Sequence, residues 1–223
     1  MTAIYAAPVS SIDPDDKMCR KCIAQNRLEM LDKRRGQARA QGFTATLLLE
    51  YAVAKQYPSV AHPLHISVGD NGKPYLVSEP NIQFSLSHSG NWAVCALSSE
   101  AVGVDIEQRQ TGRRDIASRF FHREEISYLN SLRLFDREDA FYSLWTLKES
   151  FVKTTGHGLD LPLRSFCIDI RRKPPTVYCP GIIGQYSLFL PSFPDNEYRL
   201  AVCIEGVNQK EPPVYLLNSG SLL

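Results

Sequence analysis

The stretch WAVCALSSEAVGVDIE, residues 92–107, sets the frame for the whole chain. Trp92 to Leu97 reads as a buried strand, Ser98-Ser99-Glu100 as a turn, and Val102 to Glu107 as another strand. Side chains of a strand alternate between its faces. Val104 and Ile106 are therefore expected to point into a core, with Asp105 and Glu107 side by side on the other face. Such a pair is either a solvated sheet surface or a site for a hard cation, which prefers carboxylate oxygens.

Working outward, Ala93-Val94-Cys95 recurs as Ala201-Val202-Cys203, and Leu48, Glu50 and Val53 recur in spacing as Leu147, Glu149 and Val152. A duplicated half leaves such an echo, and so does chance. Ala3 to Val9 reads as a strand ending in a Pro/Asp turn, and residues 43–56 as a largely buried helix. Asp70 to Pro74 is turn chemistry. Phe84 to Ser87 alternates like a strand and runs into His88-Ser89-Gly90. Residues 114–133 and 137–154 read as two helices. Phe166–Ile170, Tyr186–Leu190 and Tyr198–Ile204 read as strands between Pro-rich turns. From Asn208 on, with Pro212 and Pro213, a loose tail is expected.

The chain has 223 residues, enough for one large domain or two small ones, with 43% hydrophobic and 22% charged residues. That composition argues against wholesale disorder. A net charge of +1 excludes a protein that grips nucleic acid by bulk charge. No apolar run approaches the roughly 20 residues of a membrane span, and the first residues show no secretory signal. Of six cysteines, only Cys19 and Cys22 are close in sequence. Zinc would need two more ligands, and His62 and His65 are far along the chain. The simpler reading is reduced thiols in a cytoplasmic protein. Residues 19–39 carry seven basic side chains against two acidic ones. This is either a solvated helix face or the best candidate for holding phosphates.

Two further stretches carry chemistry. In Trp145 to Lys153, Glu149 and Lys153 lie one helical turn apart on one face, together with Trp145. Alone this is an ordinary ion pair. Beside Asp105 and Glu107, Glu149 would be a third carboxylate. Like charges 4 Å apart repel by roughly 4 kcal/mol at an effective dielectric of ~20, so such a trio needs a cation or must hold protons. In Ser85-x-Ser87-His88-Ser89-Gly90, a Ser-His dyad for acyl transfer is conceivable, but the Gly-x-Ser-x-Gly elbow is missing. The same residues can hydrogen-bond a phosphate, and Lys73 in a Gly-Lys-Pro turn is a mobile cation.

Taken together, Gly72-Lys73-Pro74, Phe84 to Gly90, Gly103 to Glu107, Arg119-Phe120-Phe121 followed by Glu125, Trp145 to Lys153, and Gly156 to Pro162 resemble the 4′-phosphopantetheinyl transferases, in particular the surfactin-synthetase-activating type. The resemblance implies an α+β monomer built as a pseudo-dimer of two similar α/β halves, residues 1–104 and 105–207, with the active site at their junction and a tail at 208–223. It implies transfer of the phosphopantetheine arm of coenzyme A to a serine of an apo acyl or peptidyl carrier protein, with release of adenosine 3′,5′-bisphosphate. Carried over by motif, Asp105, Glu107 and Glu149 would bind magnesium, and Lys153 would hold a phosphate or protonate the leaving group. Lys73, Ser87 and His88 would contact the nucleotide, and Thr44, Lys33 and Arg34 lie near the expected coenzyme A contacts. The base that deprotonates the serine is Glu149, directly or through a metal-bound water, or Glu125. No nucleic acid or membrane partner is implied. Two other functions compete: a non-catalytic magnesium- or nucleotide-binding module on the same fold, and a Ser-His hydrolase around His88.

Overall fold

Ala3 to Ala7 is apolar and buried along its length, as an inner strand requires. The computed structural model describes residues 1–110 and 116–222. They divide into one unit of Met1–Ser99 with Pro212–Leu223 and another of Glu100–Glu211.

The first unit opens with β1 (Ala3–Pro8). α1 (Lys17–Lys21) starts at Asp16, whose carboxylate accepts from the Met18 and Cys19 amides, two donors a helix start leaves unpaired. α2 (Gln25–Asp32) leads into α3 (Gly36–Gln56). Every residue of α3 from Gln41 to Glu50 is buried, the state expected of a helix apolar around its whole circumference. A hairpin of β2 (Ile66–Val68) and β3 (Pro74–Leu76) follows, then β4 (Gln83–Ser89) and β5 (Trp92–Ser98). β5 lies between β1 and β4, antiparallel to both. α3 packs on β5, β4 and β1. Phe43, Leu47, Leu48, Phe84, Cys95 and Leu97 form the centre of this core.

The second unit opens with β6 (Val102–Gln108). After α4 (Ala117–Phe120) and α5 (Arg123–Ser131) comes the long α6 (Leu134–Thr155). Gly156 ends it at φ 70°, a left-handed cap that favours glycine. A hairpin of β7 (Cys167–Asp169) and β8 (Thr176–Tyr178) precedes β9 (Tyr186–Phe189) and β10 (Tyr198–Glu205). β10 lies between β6 and β9, antiparallel to both. α6 packs on β6 and β10 over Leu144, Leu147, Phe151, Leu188, Ala201 and Cys203.

The chain then returns to the first unit. β11 (Val214–Leu216) pairs parallel with β1, Ile4 opposite Val214. The stretch expected to be a loose tail thus supplies a strand, and Leu222 is buried in the first core. Two other expectations are corrected. The helix read over 114–133 is two helices broken at Phe121 and His122, where the backbone turns extended; residues 114 and 115 of that reading lie outside the described residues. α3 starts at Gly36 rather than Phe43, so it absorbs the end of the basic segment. Strands β2, β3 and β8 are short and were not legible beside their turns. β6, which the sequence-based boundary splits after Val104, lies wholly in the second unit. Among the described residues, no helix is long and apolar enough to cross a membrane.

Candidate active site

The site in the second unit begins with a missing side chain. A Cβ on Gly103 would sit 2.1 Å from the Ser150 carbonyl oxygen and 2.6 Å from the Thr154 amide nitrogen. Glycine is what lets α6 lie against β6 at this point. Alternation then aims Asp105 and Glu107 to the side of β6 that α6 covers. The pair expected on one face is on one face, but that face is helix-covered rather than open. Val104 and Ile106, on the other side, are buried as expected.

The same crossing brings two α6 residues to the acidic pair. Lys153 Nζ donates to Asp105 Oδ1 at 2.7 Å and to the Val104 carbonyl at 3.0 Å. Asp105 is 5% exposed, while Glu107, Glu149 and Lys153 are half-buried. Burial raises the Glu149 carboxyl above its usual range, and the neighbouring carboxylates of Asp105 and Glu107 push the same way, against the Lys153 ammonium. Lys153 thus sits on Asp105, and Glu149 feels both β6 carboxylates and the lysine. The three carboxylates form a donor set of hard oxygen that is partly open to solvent, so these residues fit magnesium. One turn before Glu149, Trp145 stacks on Phe141 and meets Phe120 edge-on.

Glu125, the alternative base, is differently placed. It is 2% exposed and both its oxygens are occupied. Oε2 accepts from the His122 amide at 2.8 Å, closing a capping box at the start of α5. Oε1 accepts from the Ile168 amide at 2.7 Å and pairs with Lys148 Nζ at 2.9 Å. Lys148, fully buried, also donates to the Leu163 and Phe166 carbonyls. This pair ties α5, α6 and β7 together, and the sequence showed only its parts.

The expected coenzyme A contacts lie in the first unit. Lys73 follows Gly72, whose φ of 83° turns the β2–β3 hairpin. Ser87 and His88 are neighbours on β4, so they face opposite ways; Ser87 is 8% exposed and His88 is exposed. Thr44 is 0% exposed and its hydroxyl donates to the Ala40 carbonyl within α3. Lys33 and Arg34 are exposed. Two other basic residues of the segment are held in ion pairs. Arg20 and Arg39 converge on Asp32, Arg39 also holds Asp15, and both guanidiniums flank the Phe43 ring. Among the described residues, Cys19 and Cys22 belong to no group of three possible metal ligands; Cys22 donates to the Met18 carbonyl, and His62 is 2.5 Å from Glu50.

A donor group that sequence spacing could not reveal lies at the start of α5. His122, Glu124 and Cys167 offer one ligand atom each, all within 4.8 Å of one another. Cys167 is distant in sequence and arrives through β7.

Three carboxylates and a lysine on a buried strand–helix crossing can hold a divalent cation and offset charge on a phosphate, the equipment of a group-transfer enzyme acting on phosphate esters. The family model of the 4′-phosphopantetheinyl transferase superfamily matches residues 101–203. Over 163 residues, 70% of each chain, the protein is 39% identical to a 4′-phosphopantetheinyl transferase of Bacillus subtilis. Over a stretch of the same length and coverage it is 34% identical to 4′-phosphopantetheinyl transferase Sfp of Bacillus subtilis (strain 168). It is 31% identical to 4′-phosphopantetheinyl transferase psf-1 of Bacillus pumilus over 203 residues, 85% of this chain and 84% of that one. The chain belongs to the 4′-phosphopantetheinyl transferase superfamily and is a transferase of its surfactin-synthetase-activating type.

Proposed function

We propose that the Asp105–Glu107–Glu149–Lys153 crossing is the reaction centre at which the phosphopantetheine arm of coenzyme A passes to a serine hydroxyl of an apo acyl or peptidyl carrier protein. The observation that carries this reading is the approach of α6 to Gly103, which sets Lys153 on Asp105 and Glu149 beside both β6 carboxylates. Asp105, Glu107 and Glu149 would hold magnesium. When bound, that ion draws charge from the pyrophosphate and orients it.

The chain's own residues supply the remaining parts. Serine needs a base to attack phosphorus. Glu149 is the choice, because it is half-buried and stands beside the β6 carboxylates, within reach of both the metal and solvent. Glu125 is left out, because its lone pairs already serve the His122 and Ile168 amides and Lys148. Lys153 faces the leaving phosphate with an ammonium group that Asp105 positions. Lys73, Ser87, His88, Lys33 and Arg34 are proposed as the coenzyme A contacts. The enzyme is read as a cytoplasmic monomer; its origin by duplication is supported by the shared element order of β1-α3-hairpin-β4-β5 and β6-α6-hairpin-β9-β10, with the repeated Ala-Val-Cys on an inner strand of each sheet.

The test is direct. Incubated with coenzyme A, magnesium and an apo carrier, the protein should add about 340 Da to the carrier, the mass of the arm. Asp105→Ala should abolish the gain with an unchanged circular dichroism spectrum. Near-normal turnover of that variant at saturating magnesium would remove the metal assignment. No gain with wild type would instead favour the non-catalytic binding module.

A further inference from the structure

The N-terminus of α5 gathers a thiol, an imidazole and a carboxylate, a softer set than the three carboxylates of the reaction centre. His122 is the helix N-cap, Glu124 lies in the first turn and Cys167 opens β7. The Cys167 sulfur is 4.0 Å from Glu124 Oε2, and a ring nitrogen of His122 completes a triangle with no side above 4.8 Å. Around tetrahedral zinc, with ligand bonds of about 2.0–2.3 Å, donor atoms lie about 3.5 Å apart. The triangle is thus within about 1 Å of that size on each side.

The backbone beneath the donors is already fixed. The buried Glu125 carboxylate accepts from the His122 amide on one oxygen and from the Ile168 amide, next to Cys167, on the other. Lys148 neutralises that carboxylate, so the frame adds no net charge of its own. The frame therefore holds both ligand-bearing segments in place before any cation arrives, which is the arrangement that makes a metal site tight. Glu124 is exposed while His122 and Cys167 are half-buried. All three line an open cavity of about 440 Å³, so a cation can enter from solvent. A thiolate and a carboxylate balance a dication, neutral imidazole is the third ligand, and water completes four-coordination.

We propose that His122, Glu124 and Cys167 form a second cation site, separate from Asp105, Glu107 and Glu149, that takes a borderline-soft divalent ion of the zinc type and clamps the start of α5 to β7. Binding breaks the Cys167 S–H bond and releases its proton to solvent as the metal–sulfur bond forms. The softness of the donors separates the two sites. Sulfur and imidazole favour zinc or cobalt over magnesium, whereas the all-oxygen set accepts magnesium.

Cobalt(II) is the probe, because only a site with a thiolate ligand gives a sulfur-to-cobalt charge-transfer band in the near ultraviolet. Titration of the metal-free full chain should produce this band, saturating at one equivalent. Zinc should abolish it and millimolar magnesium should not. Cys167→Ser should lack the band, and Glu124→Gln, a change at an exposed side chain, should weaken cobalt binding at least tenfold. Asp105→Ala, Cys22→Ser and Cys179→Ser should keep it. The proposal is overturned if wild type shows no band, if the band survives Cys167→Ser, or if it disappears with Cys22→Ser, Cys179→Ser or Asp105→Ala. Circular dichroism of each variant checks that a lost band is not lost fold.

Discussion

Lys153 is held by two oxygens of β6, the Val104 carbonyl and Asp105 Oδ1, and that position sets its expected chemistry. An ammonium carries three donors, so these two bonds leave one for a phosphate oxygen. Lys153→Ala is expected to lower kcat by roughly 100-fold or more, the scale of losing one transition-state donor. Lys153→Arg separates the two roles of the residue. A rate within about threefold of wild type, well inside the 1.4 kcal/mol of a tenfold change, means electrostatic clamping. A rate as low as that of Lys153→Ala means proton donation, because arginine stays protonated. Glu125 belongs to a different class of residue. Glu125→Gln strands the fully buried Lys148 ammonium, so it is expected to cost about 3–5 kcal/mol in urea unfolding. The companion change Lys148→Met in the same chain should recover part of that loss. Unchanged stability together with abolished transfer would return Glu125 to the role of base.

At the scale of elements, the approach of α6 to β6 decides the geometry of the site, and Gly103 decides the approach. Gly103→Ala places a Cβ 2.1 Å from a backbone oxygen that has no rotamer to yield. Overpacking of this kind costs about 1–3 kcal/mol or more. A drop in Tm is expected, along with a fall in kcat larger than the fraction unfolded explains, because a shifted α6 carries Glu149 and Lys153 with it. Normal kcat in the folded fraction would show that the crossing tolerates displacement. Much of this was legible in sequence. Alternation in Gly103 to Glu107 put the two carboxylates on one face, and helical spacing put Glu149 with Lys153. The covering of that face was not legible, since alternation separates two faces without saying which meets a helix; Gly103 was the available signal. The break before α5 could have been found too, for His122 and Glu125 stand at capping-box spacing. The meeting of Cys167 with His122 could not, because it depends on tertiary placement of β7.

At the scale of the whole chain, the proposed duplication gives one reaction-centre residue a counterpart with a different fate. In the echo, Glu149 of α6 answers to Glu50 of α3. Glu50 is 6% exposed, contacts His62 Nδ1 and accepts from the Leu64 amide at 2.9 Å. The second unit uses its glutamate beside Asp105 and Glu107, whereas the first uses it to pin the segment after α3. Burial raises the Glu50 carboxyl above its usual 4.5, opposed by the His62 hydrogen bond, the Leu64 amide and the more distant charge of His65. The folded state therefore holds this proton more tightly than the unfolded chain. The sign follows by linkage: the contribution is fully present below the unfolded value and is lost as pH rises through the folded one. The wild-type urea midpoint should accordingly contain a component that falls as pH rises above about 4.5, the unfolded carboxylate range. Glu50→Gln cannot titrate, so it should remove that component while leaving kcat within about twofold, well under the tenfold that 1.4 kcal/mol represents. An identical pH slope in the variant would show that Glu50 carries no folding-linked proton. A loss of kcat on the scale of Lys153→Ala would show that the first unit's glutamate still takes part in the transfer.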